Sequence, residues 1–103
     1  MAKRYEVKIV VLGRVTPKEI FKEYPVKGKP VEACTVYEDG QEFIVDESGK
    51  MPEGFCAWAW EDISKSVHLL RFGGNYPWYE EEGISINCCT DGLRPVLFKL
   101  ERI

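Results

Sequence analysis

One apolar stripe in the second half of the chain constrains the fold most strongly. Its members recur at intervals of four and three residues, the spacing that places side chains on one face of an α-helix. They are Cys56, Trp60, Ile63, Val67 and Leu70. Because Gly73-Gly74 can adopt the left-handed backbone that ends a helix, we predict the main helix from about Cys56 to Phe72. The alternation of Phe55 to Trp60 leaves open an extended first turn, with the helix starting near Asp62.

Segments with alternating apolar residues surround this helix and predict strands. They are residues 5–12, 31–37, 41–45, 84–89 and 95–101. The second and third strands should form a hairpin around Glu38-Asp39-Gly40, and the last two a closing hairpin. Thr16-Pro17-Lys18-Glu19 has the form of a capping box and predicts a short helix to about Tyr24.

This order of elements predicts an α+β fold with a largely antiparallel sheet of about five strands, one main helix and one short helix. It resembles a split β-α-β arrangement. A chain of 103 residues can bury one modest core without disulfides or a metal. We therefore expect residues 1–103 to form a single domain.

Charge and hydropathy restrict the partners. The net charge is −3, and lysine and arginine are mixed with acidic residues, so we expect no nucleic-acid partner. No segment approaches the roughly 20 apolar residues of a membrane-spanning helix, and the start of the chain lacks a signal-peptide core. We expect a cytoplasmic protein with no membrane partner. A small-molecule partner, a protein partner and a homo-oligomer all stay open.

Four cysteines are the residues best suited to carry chemistry. In the closing hairpin the adjacent Cys88 and Cys89 should point in opposite directions, with Cys88 in the core and Cys89 more available. A metal site would draw on Cys34, Cys56 and Cys89, with zinc or iron as the thiolate-bound metal, although the chain lacks a Cys-x-x-Cys motif. The alternative is that all four are small buried apolar residues.

Cys56 and Cys89 are the candidate catalytic thiols. Cys56 should be the most reactive, because free N–H groups at a helix start stabilise a thiolate, whereas its aromatic neighbours oppose ionisation by desolvation. His68, the only histidine, lies about 18 Å along the helix from Cys56 and cannot activate it there. We expect His68 to be a surface residue without a cysteine partner, whose replacement by alanine changes stability by no more than about 0.5 kcal/mol.

Aromatic residues and two charges supply the candidate ligand-binding residues. They are Trp58, Tyr76, Trp78, Asp91 and Arg94. The glycine-rich segment 72–79 could close over a ligand or partner, or form a lid on the domain's own core. Asp91 and Arg94 flank a tight turn, where an aspartate cap with an arginine ion pair is the simpler interpretation and anion binding the functional one.

Three longer segments carry a resemblance to a known family. They are Pro52 to Ile63 (PEGFCAWAWEDI), Gly73 to Trp78 (GGNYPW) and Cys88 to Val96 (CCTDGLRPV). Together they resemble the signature blocks of an uncharacterised family of small proteins that is common in anaerobic bacteria and archaea. The resemblance covers the second half of the chain and implies an anaerobic setting, which favours a thiol or metal role.

The leading hypothesis is therefore thiol-based metal binding or redox work. The alternative is a non-catalytic binding module that uses the aromatic segment 72–79, and a third class is an inert accessory subunit.

Overall fold

Four strands and one long helix form the fold in the computed structural model, which describes residues 3–23, 27 and 32–103. In chain order they are β1 (Val7–Arg14), β2 (Glu42–Val45), α1 (Ala57–Arg71), β3 (Ile84–Cys88) and β4 (Val96–Arg102), with a 3-10 helix at Pro17–Glu19 between β1 and β2. The predicted α+β class is confirmed, with four strands in place of five. No helix among these residues is long and apolar enough to cross a membrane.

The strands lie in the order β2-β1-β4-β3, and every pairing is antiparallel. In the two central strands, alternation turns every second residue toward the same face of the sheet, and these side chains are almost completely buried. They are Val7, Ile9 and Val11 of β1 and Val96, Phe98 and Leu100 of β4. The register shifts between Val11 and Gly13, which leaves Leu12 unpaired as a bulge.

Helix α1 covers this buried face of the sheet. Ile63, Val67 and Leu70 of the predicted stripe are fully buried, and each such side chain contributes about 1.5–3 kcal/mol to folding. Cys56 and Trp60 are partly buried against the same core. The predicted stripe therefore faces the core.

Both ends of α1 agree with the prediction. The helix begins at Ala57 with Cys56 as its N-cap, so the extended alternative is not realised. At the other end Gly73 has φ +83, and its N–H donates to the Leu70 carbonyl oxygen at 3.0 Å.

The prediction of a hairpin over residues 31–45 is wrong. Residues 32–37 contain no strand, and β2 pairs with β1 instead. The carbonyl groups of Cys34 and Tyr37 accept hydrogen bonds from the Arg14 guanidinium, at 3.1 and 2.9 Å. A side chain thus satisfies backbone groups that the predicted ladder would have used.

The predicted short helix is reduced to the three residues Pro17–Glu19. Glu19 does accept hydrogen bonds from the Thr16 backbone N–H and hydroxyl, at 2.6 and 2.8 Å. Ile20 is 48% exposed, however, so the segment lacks the buried apolar face that extends a marginal helix. The predicted end at Tyr24 and the start of the predicted strand at Val31 lie outside the described residues.

Candidate functional site

The first turn of α1 presents Trp58 to solvent. Trp58 is 63% exposed, whereas its neighbour Ala59 faces the core and is 2% exposed. The turn that leads into the helix uses Gly54, whose φ of +82 a residue with a side chain rarely adopts. The Trp58 ring therefore lies outside the core, in the first turn of α1.

A hydrogen-bonded relay fixes the Trp58 ring against the loop after β3. The indole N–H donates to the Thr90 hydroxyl oxygen at 2.9 Å. That hydroxyl lies 3.0 and 3.1 Å from the two carboxylate oxygens of Asp62, which also accepts the Thr90 backbone N–H at 2.7 Å. Asp62 lies one helical turn after Trp58, so these hydrogen bonds join two residues of α1 to the loop after β3.

The same loop is shaped by Asp91. Its Oδ1 accepts hydrogen bonds from the backbone N–H groups of Leu93, at 3.0 Å, and Arg94, at 3.3 Å. Asp91 is thus a turn-capping residue, as the simpler interpretation predicts. The expected ion pair is not formed, because no guanidinium nitrogen of Arg94 lies within 4 Å of the Asp91 carboxylate.

Between this loop and α1 lies an open groove of about 380 Å³. We call it the Trp58 groove and define it by its lining residues: Trp58, Thr90, Asp91, Gly92 and Leu93. Two predicted ligand-binding residues, Trp58 and Asp91, therefore meet at one site. Arg94 follows this lining directly along the chain.

The other two predicted ligand-binding aromatics lie elsewhere. The Tyr76 hydroxyl is 2.9 Å from the Ser66 hydroxyl, two turns further along α1 than Trp58. The Tyr76 ring stacks on Trp78 with 4.7 Å between centroids, and Trp78 is 69% exposed. Tyr79 accepts the backbone N–H of Ile86 at 2.9 Å and so occupies the edge of β3. The segment 72–79 is anchored to α1 and β3, outside the Trp58 groove.

Tyr37 belongs to the buried core that includes Cys89 and against which Cys34 and Cys56 pack. Its ring is 2% exposed, and its hydroxyl accepts the backbone N–H of Cys56 at 3.0 Å. Burial raises the pKa of this hydroxyl well above its usual range, and the hydrogen bond from Cys56 opposes the rise. Negative charge on Cys56, Cys34 and Cys89, in their thiolate forms, raises the pKa further. Three of the four cysteines therefore lie in or against the core that holds this hydroxyl.

Arg14 contacts the segment that contains Cys34 and Tyr37. Besides its bonds to the Cys34 and Tyr37 carbonyls, it pairs with Asp39 through Nε at 3.0 Å. Because these contacts come from the end of β1, a strand at the centre of the sheet places Cys34 and Tyr37.

The predicted environments of Cys88 and Cys89 are reversed. Cys88 is exposed, whereas Cys89 is 9% exposed and its sulfur accepts the Val96 backbone N–H at 3.3 Å. The alternation itself is correct, but the face of β3 that meets the helix carries the polar residues Ser85 and Asn87. Burial and the neighbouring charges of Cys89 and Asp62 raise the pKa of the Cys88 thiol.

A polar network explains the reversal. Asn87 donates to the Ser66 hydroxyl on α1 at 3.1 Å and accepts from the Ser85 hydroxyl at 2.6 Å. Ser66 and Ser85 are 5% and 2% exposed. Buried polar groups that pair in this way can face a core, and the apolar Ile86 then faces solvent at 41% exposure.

The predicted metal ligands receive no support from the described residues, because no three histidine, cysteine, aspartate or glutamate side chains among them converge as a metal site requires. All four thiols are free. Ligation of zinc or iron by Cys34, Cys56 and Cys89, and catalysis by Cys56 and Cys89, stay predictions.

His68 is more embedded than the sequence predicts. It is partly buried, and its Nδ1 lies 2.9 Å from Nη1 of Arg71, a residue that is 5% exposed. Desolvation, and then the charge of Arg71, lower the pKa of His68. No hydrogen bond joins the imidazole to a thiol among the described residues. A role for His68 with Cys56 finds no support.

Sequence reasoning missed Tyr37, Asp62 and Thr90. The motif Cys-Cys-Thr-Asp-Gly did contain Thr90, but only tertiary contact reveals its partners on α1. The alternating pattern places Tyr37 at the end of the predicted strand 31–37. No local signal marks its hydroxyl as the partner of a residue 19 positions away.

No protein-family model, no curated protein and no solved structure matches this chain. The resemblance in the three signature segments therefore stays a prediction.

Proposed function

We propose that this protein is a non-catalytic binding module that takes a small ligand into the Trp58 groove. The observation that carries the proposal is that Trp58 is 63% exposed and yet fixed in orientation by Thr90 and Asp62. An exposed aromatic ring that keeps its orientation pays little conformational entropy when a ligand covers it. The groove, of about 380 Å³, is within the size range of small-molecule sites.

Fluorine NMR on protein labelled with 5-fluorotryptophan tests this proposal. The chain has three tryptophans, so a fragment library can be screened against three resonances, each assigned with a Trp→Phe variant. We expect ligands that shift the Trp58 resonance in a saturable manner and leave Trp78 unchanged. Ligands that shift Trp78 alone would assign binding to segment 72–79, and a library without a saturable shift at Trp58 would refute the proposal.

Thr90→Val is the matched variant for this screen. Valine keeps the shape of threonine but cannot accept the indole N–H or donate to Asp62, so the ring loses its fixed orientation. We expect weaker binding by about threefold to tenfold, with the fold retained because Thr90 is exposed. Equal affinity in this variant would show that the relay does not prepare the site.

A thiol redox function is the second candidate, and the observation that favours it is that Cys89 lies in the same core cluster as Tyr37, with Cys34 and Cys56 packed against that cluster. In this function two protein thiols reduce a low-molecular-weight disulfide, giving one protein disulfide and two small thiols, so that two electrons and two protons pass to the small molecule. Four free thiols fit a reducing compartment, and on this ground we also propose a cytoplasmic location.

Oxidised glutathione followed by non-reducing mass spectrometry tests the redox candidate. We expect an internal disulfide among Cys34, Cys56 and Cys89, which Cys88→Ser should leave intact because Cys88 is exposed on the other face of the sheet. Glutathionylation of Cys88 alone, without an internal disulfide, would refute it.

A further inference from the structure

The lining of the Trp58 groove favours a ligand of one charge. This inference rests on the binding function proposed above. Its side-chain donors are already engaged: the Trp58 indole N–H bonds to Thr90, and the Thr90 hydroxyl bonds to the Asp62 carboxylate. The Thr90 and Leu93 backbone N–H groups are also occupied, by Asp62 and Asp91. No side-chain donor of the lining is left for a ligand.

What the lining still offers is negative potential. Asp91 uses only Oδ1 to cap its turn, and its Oδ2 makes no hydrogen bond with any described residue. The exposed face of an indole carries the negative part of the ring quadrupole and is the strongest aromatic partner for a cation. The Thr90 hydroxyl that accepts the indole N–H also bonds to the Asp62 carboxylate, whose negative charge adds to the same potential.

From this arrangement we infer that the ligand of the Trp58 groove is an organic cation whose ammonium head lies over the Trp58 ring and beside the Asp91 carboxylate. An anion would meet the Asp91 carboxylate and no free side-chain donor of the lining. A neutral ligand would gain contact with the ring but would leave Asp91 Oδ2 without a charged partner.

Arg94 sets a limit on this attraction. It follows the groove lining directly and has no ion-pair partner among the described residues, so its positive charge opposes a bound cation. Replacement of Arg94 should therefore strengthen cation binding, which is the opposite of the effect expected if Arg94 bound an anionic ligand.

Choline and its neutral isostere 3,3-dimethyl-1-butanol provide a matched pair of probes, and 3,3-dimethylbutyrate provides the anion. With the Trp58 fluorine resonance as readout, we expect choline to bind about tenfold more tightly than the alcohol. The butyrate should give no saturable shift. Added salt should weaken choline binding and leave the alcohol unaffected.

Two variants sharpen the test. Asp91→Asn keeps an oxygen for the turn and removes the charge, so choline binding should fall about threefold or more, whereas Arg94→Gln should raise it. Equal binding of choline and the alcohol at Trp58, or preferred binding of the butyrate, would overturn the cation inference and leave the binding function standing. An absence of choline binding would also overturn it, and the fragment screen decides the binding function separately.

Discussion

His68→Ala should destabilise the protein by about 1–2 kcal/mol, more than an exposed histidine would. The partner of His68 is Arg71, which is 5% exposed and bonds to Nδ1 at 2.9 Å. The other contacts of this guanidinium are few: Nη2 donates to the Glu47 carbonyl, and Nε is buried without a partner.

The expected loss of stability comes mainly from the Arg71 donor, which alanine at position 68 would leave without its acceptor. A buried donor that loses its acceptor costs about 1–3 kcal/mol, and the higher helix propensity of alanine returns about 0.5 kcal/mol. The ring also packs edge-on against Trp60, with 6.2 Å between centroids, and that contact is lost as well. Lys65→Ala, at an exposed position of the same helix, is the matched control and should change stability by less than about 0.5 kcal/mol.

The same contact predicts a pH dependence with a definite sign. Nδ1 can accept from Arg71 only while it is unprotonated, and the folded-state pKa of His68 lies below its ordinary value of 6.5. As pH falls below about 6.5, the unfolded chain takes up a proton before the folded chain does, so the free energy of unfolding decreases. Above that pH the contribution is complete and constant.

Urea denaturation followed by circular dichroism, at about pH 8 and about pH 5.5, measures both effects. Wild type should lose stability between these two values, and His68→Ala should lose less. Glu19 and Asp46 also have lowered pKa values, but their contributions are lost only below about pH 4.5. The reasoning is refuted if His68→Ala matches wild type in stability, or if its pH dependence is unchanged.

Three further predictions, the first with a matched control at Gly40, concern positions with clear local causes. Gly49→Ala should cost about 2 kcal/mol or more in urea denaturation, because φ is +75 and a Cβ would lie 2.4 Å from the Arg71 guanidinium. Gly40→Ala, with φ +82 and no atom within 4 Å, should cost about 1 kcal/mol, and equal losses would contradict the steric argument. Tyr37→Phe should cost about 1–2 kcal/mol, since the Cys56 N–H loses its acceptor; a neutral result by thermal denaturation would argue against that bond. Cys88→Ser should stay within about 0.5 kcal/mol of wild type, and a larger loss would place this thiol in the core after all.

Periodicity alone was sufficient for the parts of the fold that bury an unbroken apolar pattern. The stripe of α1, its glycine stop and the strands β1 and β4 follow from spacing, because each buries one consistent apolar face. The spacing also predicts that β3 is a strand, but not which of its faces is buried. The turn-capping role of Asp91 is equally local, since its hydrogen bonds reach only the neighbouring residues Leu93 and Arg94.

Tertiary contacts decided the remainder. The segment 32–37 is not a strand because Arg14, far away in sequence, takes its carbonyl groups. Cys88 and Cys89 exchange environments because Ser66 on the helix pairs with Asn87, so a polar strand face can be buried where apolar patterning predicts the reverse. The Trp58 groove lies where Thr90 and Asp62, 28 residues apart, meet across the helix and the loop. Such partners are set by the packing of whole elements against one another, and that packing leaves no periodic signal in the sequence.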